Sequence, residues 1–127
     1  MMIRKSGVDQ KATVARLVAA VERRELTVFV HVDHAEHAHR AGLELPPTDV
    51  LVFGNPRAGT PLMATDPRVA IDLPLRMLVW EDASGLVFVG HHDPRELAVT
   101  YELVEQQAIL ERMADLLDAI STEAAGS

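Results

Sequence analysis

The sequence predicts an α+β domain in which a single mixed or antiparallel sheet carries helices packed on one face. Two observations carry this prediction. Short blocks of strand character alternate with stretches whose apolar residues recur at helical spacing. The last two strand blocks are separated only by Asp82 to Gly85, the length of a hairpin turn, which a purely parallel sheet would not contain. With 127 residues and no linker, repeat or low-complexity block, residues 1–127 read as one domain around one core.

Met2 to Ser6 reads as a short first strand. Asp9 then offers an N-cap for a helix over about residues 10–24, because Val14, Leu17, Val18 and Val21 fall at i, i+3, i+4 and i+7. Leu26 to Val32 is rich in Val and Phe and predicts a strand. In it Thr27, Phe29, His31 and Asp33 face one way and Val28, Val30 and Val32 the other. A short helix follows, with Asp33 as cap, Glu36 as its capping-box partner and Gly42 as the stop. Val50 to Phe53 is a fully apolar strand that ends at once in Gly54-Asn55-Pro56. Thr60-Pro61 reads as N-cap and first residue of a short helix through about Thr65, with Ile71 to Pro74 extended after it. Arg76 to Glu81 and Leu86 to Val89 form the hairpin, and Asp93-Pro94 starts another helix with Glu96 at its third position. The last helix spans about 103–121 on the stripe Ile109, Leu110, Met113, Leu116, Leu117 and Ile120, and the tail TEAAGS is expected to fray.

Composition narrows the function classes. The chain is 48% hydrophobic and 24% charged, which suits a packed globular core. Twelve basic against nineteen acidic residues give a formal charge of −7. That balance argues against nucleic-acid and anionic-membrane partners, both of which recruit clustered Lys and Arg. The absence of cysteine removes disulfides, thiolate catalysis and Cys-based metal centres. MMIRKSGVDQ lacks the apolar segment of a signal peptide, so the expected location is cytoplasmic.

Four pieces carry a family likeness: DHAEHAHRAGLEL at Asp33 to Leu45, PPTDVLVFGNPRAGTPLM at Pro46 to Met63, IDLPLRMLVWED at Ile71 to Asp82 and DPRELA at Asp93 to Ala98. Over about Thr27 to Leu103 the chain resembles the domain of unknown function 302 family. The resemblance implies a soluble, mostly prokaryotic domain of the β-α-β(4)-α kind, similar in layout to the repeat of the TATA-binding-protein fold. It implies no substrate, cofactor or catalytic residue. Two places depart from the family pattern: His92-Asp93-Pro94 stands where relatives read Asn-Asp-Pro, and Thr100-Tyr101 where they often carry Arg-His.

The chemistry-bearing residues allow three readings. In the first, Asp33, His34, Asn55, Thr60 and Asp72 gather at one sheet end as a polar pocket for a small molecule, since glycines and helix starts let backbone approach a ligand. In the second, the protein is an enzyme with His34 as acid or base oriented by Asp33, with or without a divalent metal. His31, His34 and His37 are the candidate ligands, although the HExxH signature is absent. In the third, the protein is a structural homodimer. Turn and cap chemistry alone also accounts for most of these residues: Asp33, Asn55, Thr60 and Asp93 as caps, Asp82 as a turn starter, Trp80 as core.

Overall fold

The computed structural model describes residues 1–126. Five strands, β1 (Met2–Lys5), β2 (Thr27–Asp33), β3 (Thr48–Gly54), β4 (Leu75–Glu81) and β5 (Val87–His91), form one sheet in the order β1-β5-β4-β3-β2. Every neighbouring pair is antiparallel. Of the two expected forms, mixed or antiparallel, the sheet is antiparallel.

The helices follow the chain between and after the strands: α1 (Gln10–Arg23), α2 (His34–Arg40), α3 (Pro56–Thr65), α4 (Leu97–Thr100) and α5 (Gln107–Ala125). Period-two alternation decides the layering. Leu51 and Phe53, Met77 and Val79, and Val87 and Val89 lie on one face and pack with Leu17 and Val21 of α1 and Leu117 and Ile120 of α5. All ten are buried, and each full burial contributes about 1.5–3 kcal/mol before ordering costs. A second cluster, Leu62, Val69, Leu103, Leu110 and Met113, lies beneath α3 and the first half of α5.

Among the described residues the opposite face carries no helix. Val30 pairs with Val52 and Trp80 with Phe88 across it, and Ile3 and Val30 are 57% and 45% exposed. Trp80, expected in the core, stacks on Phe88 here with ring centroids 5.4 Å apart.

Local capping follows the sequence closely. Asp9, Asp33, Asn55 and Asp93 each accept a hydrogen bond from a backbone N–H at the start of the following helix. Three boundaries differ. Thr60 does not open a helix; α3 runs unbroken from the Asn55 cap, with Pro56 in its first turn and Pro61 inside it. Asn55 therefore wins the competition between two neighbouring cap-plus-proline signals. Ile71 and Asp72 are not extended but end a 3-10 turn over Pro67–Asp72, which Asp66 caps. Finally, α5 continues to Ala125, with a 3-10 turn over Val104–Gln106 before it.

The expected fraying of the tail is thus corrected for residues up to Gly126. Ala124 and Ala125 are 0% and 1% exposed, Gly7 N–H donates to the Ala125 carbonyl at 2.9 Å, and Gly126 closes the helix in the left-handed conformation (φ 77°). Arg24 grips Glu123 with two bonds of 2.7 and 3.0 Å, and Arg23 joins them. A helix of small residues looks weak by composition, but close contact with β1 and α1 holds it.

Asp66 ties α3, the 3-10 turn and the approach to α5 together. Only 5% exposed, it accepts from the Arg68 backbone at 3.1 Å, from the Arg68 guanidinium at 2.9 and 2.7 Å, and from Glu102 N–H at 3.0 Å. These donors, the guanidinium first, hold its carboxyl far below the usual carboxylate range. A folded pKa below the unfolded one means the stabilisation is complete above the unfolded value of about 4 and is lost as pH falls below it. Asp66→Asn is expected to flatten the acid limb of a stability–pH profile, read by urea unfolding between about pH 6 and pH 2. An unchanged limb would assign the acid lability to Asp93 and Glu123, whose carboxyls Arg95 and Arg24 also hold low.

Candidate functional site

The strand order sorts the polar residues into two groups. In an antiparallel sheet the starts of β1, β2 and β4 lie beside the ends of β3 and β5. Thr27 is opposite Gly54, Phe53 opposite Leu75, and Met2 opposite His91. Asn55, Asp72 and His92 follow or precede these strands and share that end. Asp33 is opposite Asp49 at the other end of β2.

The five residues of the expected polar pocket therefore do not meet. Asn55 and Thr60 line one cavity, Asp72 a second, and Asp33 a third at the far sheet end, where His34 opens α2 with its side chain in solvent. The β2–β3 hairpin connection carries Asp33-His34 away from Gly54-Asn55 by the length of a strand. Sequence proximity to strand ends was a correct signal, but it does not say which end.

The metal reading also separates. His31 is on β2, His34 and His37 are on the exposed α2, and among the described residues no group of three or more His, Asp or Glu side chains could hold a metal ion. His31 instead bonds Asp49, Nε2 to Oδ1 at 2.7 Å. The other Asp49 oxygen accepts from Gln10 Nε2 at 2.7 Å, and the same amide donates to the Val79 carbonyl at 2.9 Å. The Asp partner of an imidazole in this structure is thus Asp49 with His31, not Asp33 with His34. Spacing could not reveal a pair that forms across strands.

The cavity beside Asn55 is the best-formed candidate. It encloses about 340 Å³ between β2, β3, α3, the Ala70–Leu75 segment and α5. Phe29, Met63, Leu73, Leu75, Met113 and Leu116 give it an apolar wall, and Asn55 and Thr60 are its polar groups. The local chain explains the opening. A bulge in β2 between Val28 and Val30 breaks the alternation, and Phe29 within it lines the cavity. At Gly54 a Cβ would stand 3.4 Å from Pro74 Cβ, so a bare backbone lets β3 approach the start of β4. At Gly59 a Cβ would meet Leu73 and Met63 at 3.8 and 3.9 Å, so this glycine leaves room in the cavity. Asn55 Oδ1 is occupied by Arg57 N–H at 3.0 Å, which leaves its amide hydrogens for another partner.

A second, more polar cavity of about 250 Å³ lies beyond Leu75. It brings together Asp72, Arg76, His92, Asp93 and Thr100. Tyr101 donates its hydroxyl to Asp72, and that bond, ahead of desolvation, raises the phenol's pKa. Arg76 stands 3.9 Å from Asp72. The two positions where the chain departs from the family pattern, His92 and Thr100-Tyr101, thus face the same cleft.

Sequence reasoning missed the apolar cavity wall, because Phe29, Leu73 and Met113 are indistinguishable from core by periodicity. The bulge and the close approach at Gly54 are set by tertiary packing, and only the glycine itself was a hint.

The fold defines a small α+β domain built on a five-stranded antiparallel sheet. The model of the domain of unknown function DUF302 matches residues 2–120, and the chain belongs to that family. An uncharacterized conserved DUF302 protein from Bacillus stearothermophilus, known from its crystal structure, has the same fold: TM-score 0.81, 18% identity, 97% of this chain and 96% of that one covered. The fluoride-specific ion channel FluC 1 of Brucella suis biovar 1 (strain 1330) is 44% identical over 91 residues, covering 72% of this chain and 36% of that protein. The corresponding protein of Brucella abortus biovar 1 (strain 9-941) is also 44% identical over 91 residues, with 34% of its length covered. The chain therefore spans about a third of the length of these relatives. Among the described residues no helix is long and apolar enough to cross a membrane.

Proposed function

We propose that the chain is a binding module for a small molecule with an apolar body and one hydrogen-bond acceptor, seated in the cavity beside Asn55. The observation that supports this reading is the pairing of an apolar wall with a polar rim that still has donors to give. Among the described residues the Asn55 amide hydrogens have no partner, and Thr60 adds a hydroxyl. Cavities of this kind, apolar with a few placed polar groups, are the usual form of small-ligand sites, and about 340 Å³ is at the small end of their range. Asp72 bounds the neighbouring cleft, while Asp33 and His34 take no part.

The test uses the dye 1-anilinonaphthalene-8-sulfonate and medium-chain carboxylates as competitors. Gly59→Leu fills the cavity at a position where a side chain meets no backbone, and Gly59→Ala serves as its control. Alanine in the helix interior is expected to raise stability by about 0.5–1 kcal/mol. Saturable dye binding, displaced by the carboxylates and lost in Gly59→Leu with an unchanged circular dichroism spectrum, is the expected result. Equal binding to the leucine variant sinks the reading.

A second reading draws on the names of the Brucella relatives. There a segment like this chain forms about a third of a protein named as a fluoride-specific ion channel. On this reading the domain serves fluoride handling alongside a channel. Thermal unfolding in sodium fluoride against sodium chloride at equal ionic strength, together with fluoride tolerance of cells lacking the gene, checks it. No difference in either assay removes it. Self-association through the helix-free sheet face, with Ile3 and Val30 exposed, is a separate expectation that light scattering decides.

A further inference from the structure

The cavity beside Asn55 is lined by an aromatic ring that the fold leaves half outside. Phe29 is 52% exposed. It sits on β2, an edge strand, in the bulge where Val28 pairs with Phe53 and Val30 with Val52, so it has no partner on β3. Among the described residues the stacked aromatic pair is Trp80 with Phe88, on the other face of the sheet, and Phe29 stacks on no ring. An uncovered Phe on a sheet edge invites pairing with other chains, a hazard that folds blunt with Lys, Pro or a bulge. Here the bulge is present, and the ring is kept beside a cavity.

The rest of the lining narrows the chemistry. Among the described residues no charged side chain and neither Val nor Ile lines this cavity. Ligands are therefore told apart by shape and ring chemistry, not by ion pairing. Met63 and Met113 supply two thioethers. The Met63 methyl carbon is 3.9 Å from where a Cβ on Gly59 would stand, so it reaches toward the space this glycine leaves open. Thioether sulfur is polarisable and makes favourable contacts with aromatic rings, and its unbranched side chain adjusts to a flat face. A phenyl ring with a free face adds a preference for a second ring in offset or edge-on contact. An alkyl chain would draw nothing from either feature beyond its apolar area.

On the reading of this cavity as a ligand site, we infer that the apolar body of its ligand is an aromatic ring. The ring rests on Phe29 and on the Met63 and Met113 thioethers. The oxygen acceptor it carries meets the Asn55 amide and the Thr60 hydroxyl at the mouth. Phe29 is then the residue that sets specificity, while Gly59 sets the room available.

The experiment compares 4-phenylbutyrate with 4-cyclohexylbutyrate as competitors of 1-anilinonaphthalene-8-sulfonate. The two share charge and chain and differ only in the ring. The saturated ring offers at least as much apolar area, so on area alone it binds as well or better. Phenylbutyrate is expected to bind about three- to tenfold more tightly. Phe29→Leu should cancel the difference by weakening phenylbutyrate alone, and Phe29→Tyr, which keeps the ring, should preserve it. Both substitutions fall on a half-exposed side chain. In the unsubstituted protein, with methionine methyl groups labelled by carbon-13, phenylbutyrate should produce ring-current shifts at Met63 and Met113, while Met77 in the core stays fixed. Equal competition by the two rings, a preference that survives Phe29→Leu, or unmoved Met63 and Met113 signals would each overturn the inference. The cavity would still be a ligand site in those cases if Gly59→Leu abolished dye binding. Absence of dye binding altogether would remove both.

Discussion

Replacing Phe53 by alanine is expected to lower the free energy of unfolding by about 3–5 kcal/mol, a large share of the ~5–15 kcal/mol that holds a domain of this size. Phe53 is fully buried and is among the largest side chains in the core. It faces Val28 on one side and Leu75 on the other, so it joins three strands at the point where β3 turns into the Gly54-Asn55 opening. The loss combines the removed transfer free energy with the void left behind, because strands on both sides fix the width of the gap. Chemical denaturation measures the first effect. The same variant should lose dye binding at concentrations where it is still folded, since Leu75 then relaxes into the void. A cost below about 1 kcal/mol would show that the sheet collapses freely at this end.

Removing residues 122–127 is expected to cost about 3 kcal/mol. Burial of the Ala124 and Ala125 methyl groups contributes about 0.8 kcal/mol each, the Gly7–Ala125 backbone bond about 1, and the half-exposed Arg24–Glu123 pair less than 1. Comparing urea midpoints of the truncated and full chains measures this. An unchanged midpoint would mean that α5 ends in practice near Ser121. Glu123→Gln separates the parts: it should recover most of the stability, because the alanine contacts carry more than the ion pair.

These two predictions show what could be read from residues and what could not. Phe53 stood out as the end of an apolar run before Gly54-Asn55-Pro56, and the run, the turn and the burial all follow from local pattern. The tail did not stand out, because TEAAGS has no large apolar residue and its hold comes from β1 and α1, more than a hundred residues earlier in the chain. Caps were legible at Asp9, Asp33, Asn55 and Asp93, but not at Asp66, which also precedes a proline and caps the 3-10 turn. Where two such signals stood five residues apart, at Asn55 and Thr60, only packing of Leu62 and Val69 decides that one helix absorbs both. The same limit governs the sites. Asp33, Asn55 and Asp72 were identified as strand-end residues, yet strand ends come in two sets, and their sorting depends on pairing order. His31 and Asp49, eighteen positions apart, meet only because β2 and β3 run antiparallel.

The bond from Gly7 to Ala125 has one further consequence. Gly7 follows Lys5, at the sheet end opposite His91 and Asn55, so the last turn of α5 lies at that opposite end. A polypeptide, surface or fluorophore joined after this helix would act as a handle at the sheet end opposite the Asn55 cavity. An immobilised domain attached there should take up the dye as the untethered one does, whereas attachment ahead of Met2 would stand at the sheet end that carries Asn55.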